Sequence, residues 1–183
     1  MALLVMTTLT GCGPKDTVHL QYSSATPVVM PSPTAPRMAV VLFEDKRPMR
    51  DSVGLKRDGS KFTPDSLVTE WVSRGLADEL SRMGPQISYT PTIQLAQPAN
   101  PDFIVTGSVD EVWIREVGVT TFNATIKVTV NLANRNGNIM SQTLASTQER
   151  RGVPTSGSVE NLMMDTLREV MGVAASKISE ASR

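Results

Sequence analysis

Side chains suited to covalent or acid–base chemistry are scarce in this chain. One cysteine, Cys12, and one histidine, His19, occur in 183 residues. Nucleophilic catalysis needs a thiol or hydroxyl beside a positioned base, and no third group stands ready to orient this pair. The same scarcity excludes a disulfide framework and the usual Cys/His zinc sets. Carboxylates occur in pairs at Glu44-Asp45 and Asp110-Glu111. Acid–base work needs two such groups to converge, whereas adjacent strand residues point to opposite faces, so Asp110 and Glu111 are expected to diverge. Gly11-Cys12-Gly13 lacks the strand–turn–helix setting of a phosphate loop. The expectation is a protein that is not an enzyme and uses no cofactor or metal.

Charge is concentrated in residues 44–61, where ten of 18 residues are ionisable and Pro48, Gly54 and Gly59 interrupt any regular element. Within it, Asp45, Arg47, Arg50, Lys56 and Arg57 form a candidate anion- or partner-binding loop. A solvated polar loop is the first reading, an Asp45–Arg47 fastening the second, an anionic-ligand site the third. Over the whole chain 18 basic residues balance 18 acidic ones. A non-specific nucleic-acid binder needs a basic surplus, so nucleic acid is not an expected partner. Aromatics are only 4%, which disfavours a stacking platform for bases or sugars.

The setting of Cys12 gives it a role outside catalysis. Residues 1–10 are apolar or small, and Leu9-Thr10-Gly11-Cys12 resembles the bacterial lipobox, in which small residues admit a signal peptidase and the thiol is lipidated. The run is too short to span a bilayer. It also lacks Lys and Arg, so residues 1–11 read as a signal peptide in shortened form. Acylation of Cys12 by several chains, palmitate among them, would anchor the protein stably. Gly13, rather than Asp, after the cysteine leans towards the outer membrane, with the domain facing the periplasm. Residues 12–37 then form a lipidated, proline-rich tether, with a short edge strand at Thr17–Tyr22. His19 falls in this tether as an exposed residue without an evident partner.

Residues 38–183 read as one α+β domain. Met38–Phe43 has strand length. Thr63, Pro64 and Asp65 form a helix start, and Val68, Val72, Leu76, Leu80 and Met83 follow at helical spacing up to Gly84-Pro85. Trp71 reads as a core or rim anchor. Ile87–Thr90 is a short strand. In residues 102–117, Phe103, Val105, Val109 and Trp113 share one parity, and Gly107 points to a bulge. Residues 121–133 alternate most clearly: Phe122, Ala124, Ile126, Val128, Val130 and Leu132 inside, Asn123, Thr125, Lys127, Thr129 and Asn131 outside. Asn136-Gly137 turns the chain into residues 138–150. Ser158 caps a last helix whose Met-rich stripe either packs on the sheet or offers a docking face. The expected architecture is a two-layer sandwich: a mainly antiparallel sheet of about four or five strands with two amphipathic helices on one face.

Together, Cys12, Asp45-x-Arg47 followed by Gly54, the helix ending in Met83-Gly84, Phe103-Ile104-Val105-Thr106-Gly107-Ser108-Val109, residues 121–132, the Asn136-Gly137 turn and the last helix resemble the YajG-like family of bacterial lipoproteins. A looser likeness is to auxiliary lipoproteins of ABC transporters. The resemblance implies an envelope lipoprotein without established catalysis. Three functions stand open. The first is a lipid-anchored interaction or assembly module with a protein partner in the envelope, a second copy of itself included. The second is an accessory subunit of a lipid or solute transporter, and the third a glycan-binding envelope domain.

Overall fold

A computed structural model of the chain describes residues 17–183; Cys12 and the signal-like run lie outside them. The order is β1 (Thr17–Val18), β2 (Arg37–Val41), β3 (Glu44–Asp45), β4 (Gly54–Leu55), β5 (Lys61–Pro64), α1 (Val68–Ser81), β6 (Gln86–Thr90), α2 (Ile93–Ala96), β7 (Phe103–Glu116), β8 (Thr121–Asn134), β9 (Gly137–Arg151) and α3 (Ser156–Ala181). The class is α+β, but the sheet has nine strands and is mixed, not four or five and mainly antiparallel.

The difference arises along β7. One edge of this 14-residue strand carries β8 antiparallel over its whole length. The other edge is shared in turn by three parallel partners: β2 at Met38↔Phe103, β3 at Glu44↔Ser108 and β4 at Gly54↔Ile114. The charged stretch expected as a loop thus holds two short strands, β3 and β4, and runs into a third, β5, each too brief for a periodic signal. β9 continues the meander beyond β8, and β6 lies parallel to β2 on the far side.

β2 is buried from Met38 to Val41 on both faces, as a strand between two parallel neighbours must be. Met38 and Val40 join the main core with α1 and α3, whereas Ala39 lies outside it with Ala96 of α2. A right-handed β6–α2–β7 crossover, running back over β2, places α2 on the face opposite α1. The helix packing therefore differs from two helices on one face: three α-helices lie among the described residues, and α2 packs beside β2 and β6 on the other face. The rest of that face, over β7, β8 and β9, is open.

Three local signals point elsewhere than the structure does. Pro64 ends β5, and α1 begins at Val68 behind Leu67, which makes no side-chain cap. The last helix is capped by Thr155, whose Oγ1 accepts from the Ser158 amide. Gly107 is not the bulge. It stays in register with Val130, and the irregularity falls at Asp110, between Val109 and Glu111. Gly107 is needed for closeness, since a Cβ there would collide with the Thr129 carbonyl and the Phe43 ring.

Residues 19–36, expected as a tether with an edge strand as far as Tyr22, are fastened to α1, α3 and β6 as a strap. β1 pairs with β5. The Leu20 amide donates to Asp65 Oδ1 at 3.0 Å, and His19 Nδ1 to Asp65 Oδ2 at 2.8 Å, so the histidine has a partner after all. Trp71 Nε1 donates to the Gln21 carbonyl at 2.9 Å, Arg168 Nε to Ser23 at 2.9 Å, and Gln86 Nε2 to Pro33 at 3.0 Å. Tyr22 lies against Gly75 of α1, and its hydroxyl donates to Glu79.

Candidate functional site

The five charged residues singled out by sequence do not converge. Asp45 and Arg47 form a closed unit. Arg47 Nε donates to Asp45 Oδ1 and its Nη2 to Oδ2, each at 2.9 Å, while Nη1 donates to the Ser52 carbonyl at 3.1 Å. The Arg50 carbonyl accepts from Nη2 at 3.3 Å. Burial alone would raise the Asp45 pKa, but the Arg47 hydrogen bonds and charge outweigh it and hold the carboxyl below its usual range. With its side chain 4% exposed and its guanidinium bonded to the chain itself, Arg47 acts as a fastener of the β3–β4 connection. Lys56 and Arg57 sit elsewhere, in the β4–β5 turn, lining a shallow hollow with Glu116 and Val119. Lys56 Nζ lies 5.5 Å from the Phe62 ring centroid.

The bulge at Asp110 shapes the open face. It reverses the parity of β7, so Val112 and Ile114 enter the core while Trp113, expected to share a face with Val105, turns outward opposite Thr125. It also brings Asp110 and Glu111, expected to diverge, to the same groove of about 530 Å³, with Arg47, Trp113, Asn123 and Thr125 along its walls. Asp110 accepts from Ser108 Oγ at 2.8 Å and Thr129 Oγ1 at 2.7 Å, one hydroxyl on each oxygen. Both oxygens are thereby tied into the sheet. Along β8 and β9 the face carries a ladder of neutral polar pairs, Thr125–Thr147 at 3.0 Å, Thr129–Thr143 at 2.9 Å and Ser141–Asn131 at 2.7 Å, interrupted by the exposed Lys127 opposite Ala145.

The ladder ends on β9, whose only strand partner among the described residues is β8. β9 is 15 residues long, and alternate residues of an edge strand turn N–H and C=O groups outward, unpaired. Asn138–Gln148 contains no charge and no proline, the usual protections of an exposed edge. Sequence patterning found the strand and its weak alternation but could not show that its outer edge is free.

The methionine stripe of α3 is spent on the core: Met163 and Met171 are buried with Leu167 and Val170. Trp71 is 6% exposed and anchors the strap. Among the described residues, no cluster of His, Cys, Asp and Glu has metal-holding geometry, and no helix is long and apolar enough to cross a membrane.

No family model matches the chain, and no curated protein matches it either. Solved structures share the fold. A Xanthomonas campestris protein of the DUF330 family is 14% identical, with a TM-score of 0.56 over 91% of this chain and 98% of that one. A variant PelC dodecamer from Paraburkholderia phytofirmans is 17% identical, with a TM-score of 0.51 over 81% and 92%. A hypothetical protein of Chlamydia trachomatis is 13% identical, with a TM-score of 0.50 over 80% and 99%. At these identities the likeness is one of fold.

Proposed function

We propose that this chain is a non-enzymatic bacterial envelope lipoprotein of YajG-like type, anchored through Cys12 in the outer membrane and facing the periplasm, that assembles with other copies of itself through β9. The observation that carries the reading is the long edge of β9, which pairs with no second strand among the described residues and whose own residues 138–148 carry no charge. Such an edge is a template for strand addition. Self-association is favoured over a foreign strand because the fold is similar to that of PelC, which forms a dodecamer. Sedimentation velocity of the full chain in detergent tests this. Oligomers that Ala145→Lys converts to monomers would support it. A monomer at all concentrations, unaffected by that substitution, would refute it.

A second reading has one observation behind it. Trp113 stands beside Asn123, Thr125 and Glu111 in the open-face groove, and an aromatic ring among hydrogen-bonding groups suits a glycan. Saturable muropeptide binding, lost in Trp113→Ala, would favour it. The transporter-accessory reading loses its best candidate surface with the burial of Met163 and Met171.

A further inference from the structure

Thr17, where the described chain begins, enters the domain at one particular end. It lines a small hollow with Lys56, Phe62 and Pro154. At this same end the β7–β8 turn meets the residues after β9, through the Gly152 amide donating to the Thr120 carbonyl at 2.8 Å. Three valines stand out there: Val117 is 57% exposed, Val119 71% and Val153 69%. None joins the core, and turns of this kind are ordinarily polar. Arg57 beside Val119 and Arg151 beside Val153 flank them, with Asp58, Glu116 and Glu149 interspersed.

The strap gives this end its meaning. Because the chain is fastened to the domain from Thr17 onward, only four residues, Gly13 to Asp16, stand between it and Cys12. Fully extended, the five Cα–Cα steps from Cys12 to Thr17 reach about 18 Å. The 14 residues of β8 run about 48 Å from this end to the Asn134–Gly137 turn. A leash so much shorter than the domain brings the valine-bearing end close to whatever surface holds Cys12.

We infer that Val117, Val119 and Val153 rest in the interface of the phospholipid bilayer that anchors Cys12. The domain then stands with its Asn134–Gly137 turn and the first half of β9 held away from the membrane. The inference rests on the reading of Cys12 as lipidated and adds the surface that meets the lipid. The valines supply apolar area and Arg57 and Arg151 suit headgroup phosphates, so the domain is oriented by a second contact besides its acyl chains.

The test uses the full lipidated chain in vesicles of phosphatidylethanolamine and phosphatidylglycerol. An environment-sensitive fluorophore is attached through Val119→Cys or, separately, through Asn136→Cys. Both sites are turns open to solvent, so neither substitution threatens folding. Lipids carrying a nitroxide quencher should quench the probe at 119 several-fold more than the probe at 136 and shift its emission to the blue. Mass spectrometry of the same sample reads the acyl chains on Cys12. Acylated Cys12 with equal quenching at the two sites, or none, overturns the orientation alone. Unmodified Cys12 overturns the anchoring and the orientation together.

Discussion

The hydroxyl of Tyr22 donates to the carboxylate of Glu79 on α1, 57 residues later. Glu79 is 6% exposed, so this bond satisfies a nearly buried carboxylate. Burial, followed by the hydrogen bond and negative charge of Glu79, pushes the phenol far above its ordinary range and keeps it protonated as the donor. The bond sits mid-strap, between the Gln21–Trp71 and Ser23–Arg168 contacts. Tyr22→Phe keeps the ring against Gly75 but strands the carboxylate. It should lower stability by about 1–3 kcal/mol, read as a shifted urea midpoint with an unchanged slope.

The strap's first fastening should respond to acid. The Leu20 amide, followed by His19 and Ser66, holds the Asp65 carboxyl below its usual range, against a small effect of burial. A group depressed in this way stabilises the fold above its unfolded pKa and loses that contribution as pH falls through the folded value. Asp65→Asn should therefore be less stable than the parent at pH 7, by under about 1 kcal/mol because the site is exposed. The difference should shrink as pH falls through the folded carboxyl's titration. Urea titrations at pH 7 and at a series of acid pH values check both points.

Arg47 should tolerate no simple replacement. Its planar fork meets both Asp45 oxygens and two carbonyls at once, a geometry lysine does not reproduce. Arg47→Lys should cost roughly 2 kcal/mol or more, short of the ~3–5 kcal/mol of a fully buried pair because Asp45 keeps some contact with water. Thermal unfolding measures it. Asp45→Asn in the same background should then have little additional effect, since the pair is already broken.

Ser52 offers the opposite sign. It is fully buried, and its hydroxyl has no hydrogen-bond partner. A buried donor without an acceptor costs about 1–3 kcal/mol. Ser52→Ala removes that cost and leaves the Arg47–Ser52 carbonyl bond intact, so it should be neutral or stabilising by up to about 1 kcal/mol. A lowered melting temperature would contradict the assignment.

Gly107 should not accept a side chain. Its missing Cβ lets the Phe43 ring and the β8 backbone close on the same point. Gly107→Ala should destabilise by about 1–3 kcal/mol through overpacking. Phe43→Leu in the same chain should recover part of the loss.

The parts of the fold legible in the sequence are those that repeat. The alternation of residues 121–133 gave β8 and its buried face, and helical spacing gave α1 from Val68 and most of α3. What stayed hidden depends on single events or long-range partners. The Asp110 bulge reverses the face of Trp113, yet nothing in the composition of β7 marks it, and Gly107 was the more obvious irregularity. Thr63, Pro64 and Asp65 look like a helix start because strand ends and helix starts share residue types. Only the pairing of Lys61–Pro64 with β4 and β1 decides between them. The strap was invisible because its side chains and carbonyls bind residues more than 40 positions away. For the charged loop, the Asp45–Arg47 spacing was legible as a fastening, while the separation of Lys56 and Arg57 from it required the fold.

In the proposed assembly β9 pairs with a strand of another copy. Amide hydrogen exchange of residues 138–148 reads that pairing on the backbone itself. In protein kept in native membranes, the outward-facing amides of this segment should exchange far more slowly than in a dilute, lipid-free monomer, while those facing β8 stay protected in both. Equal, rapid exchange of the outward amides in the two states would show an unpaired edge and contradict the account.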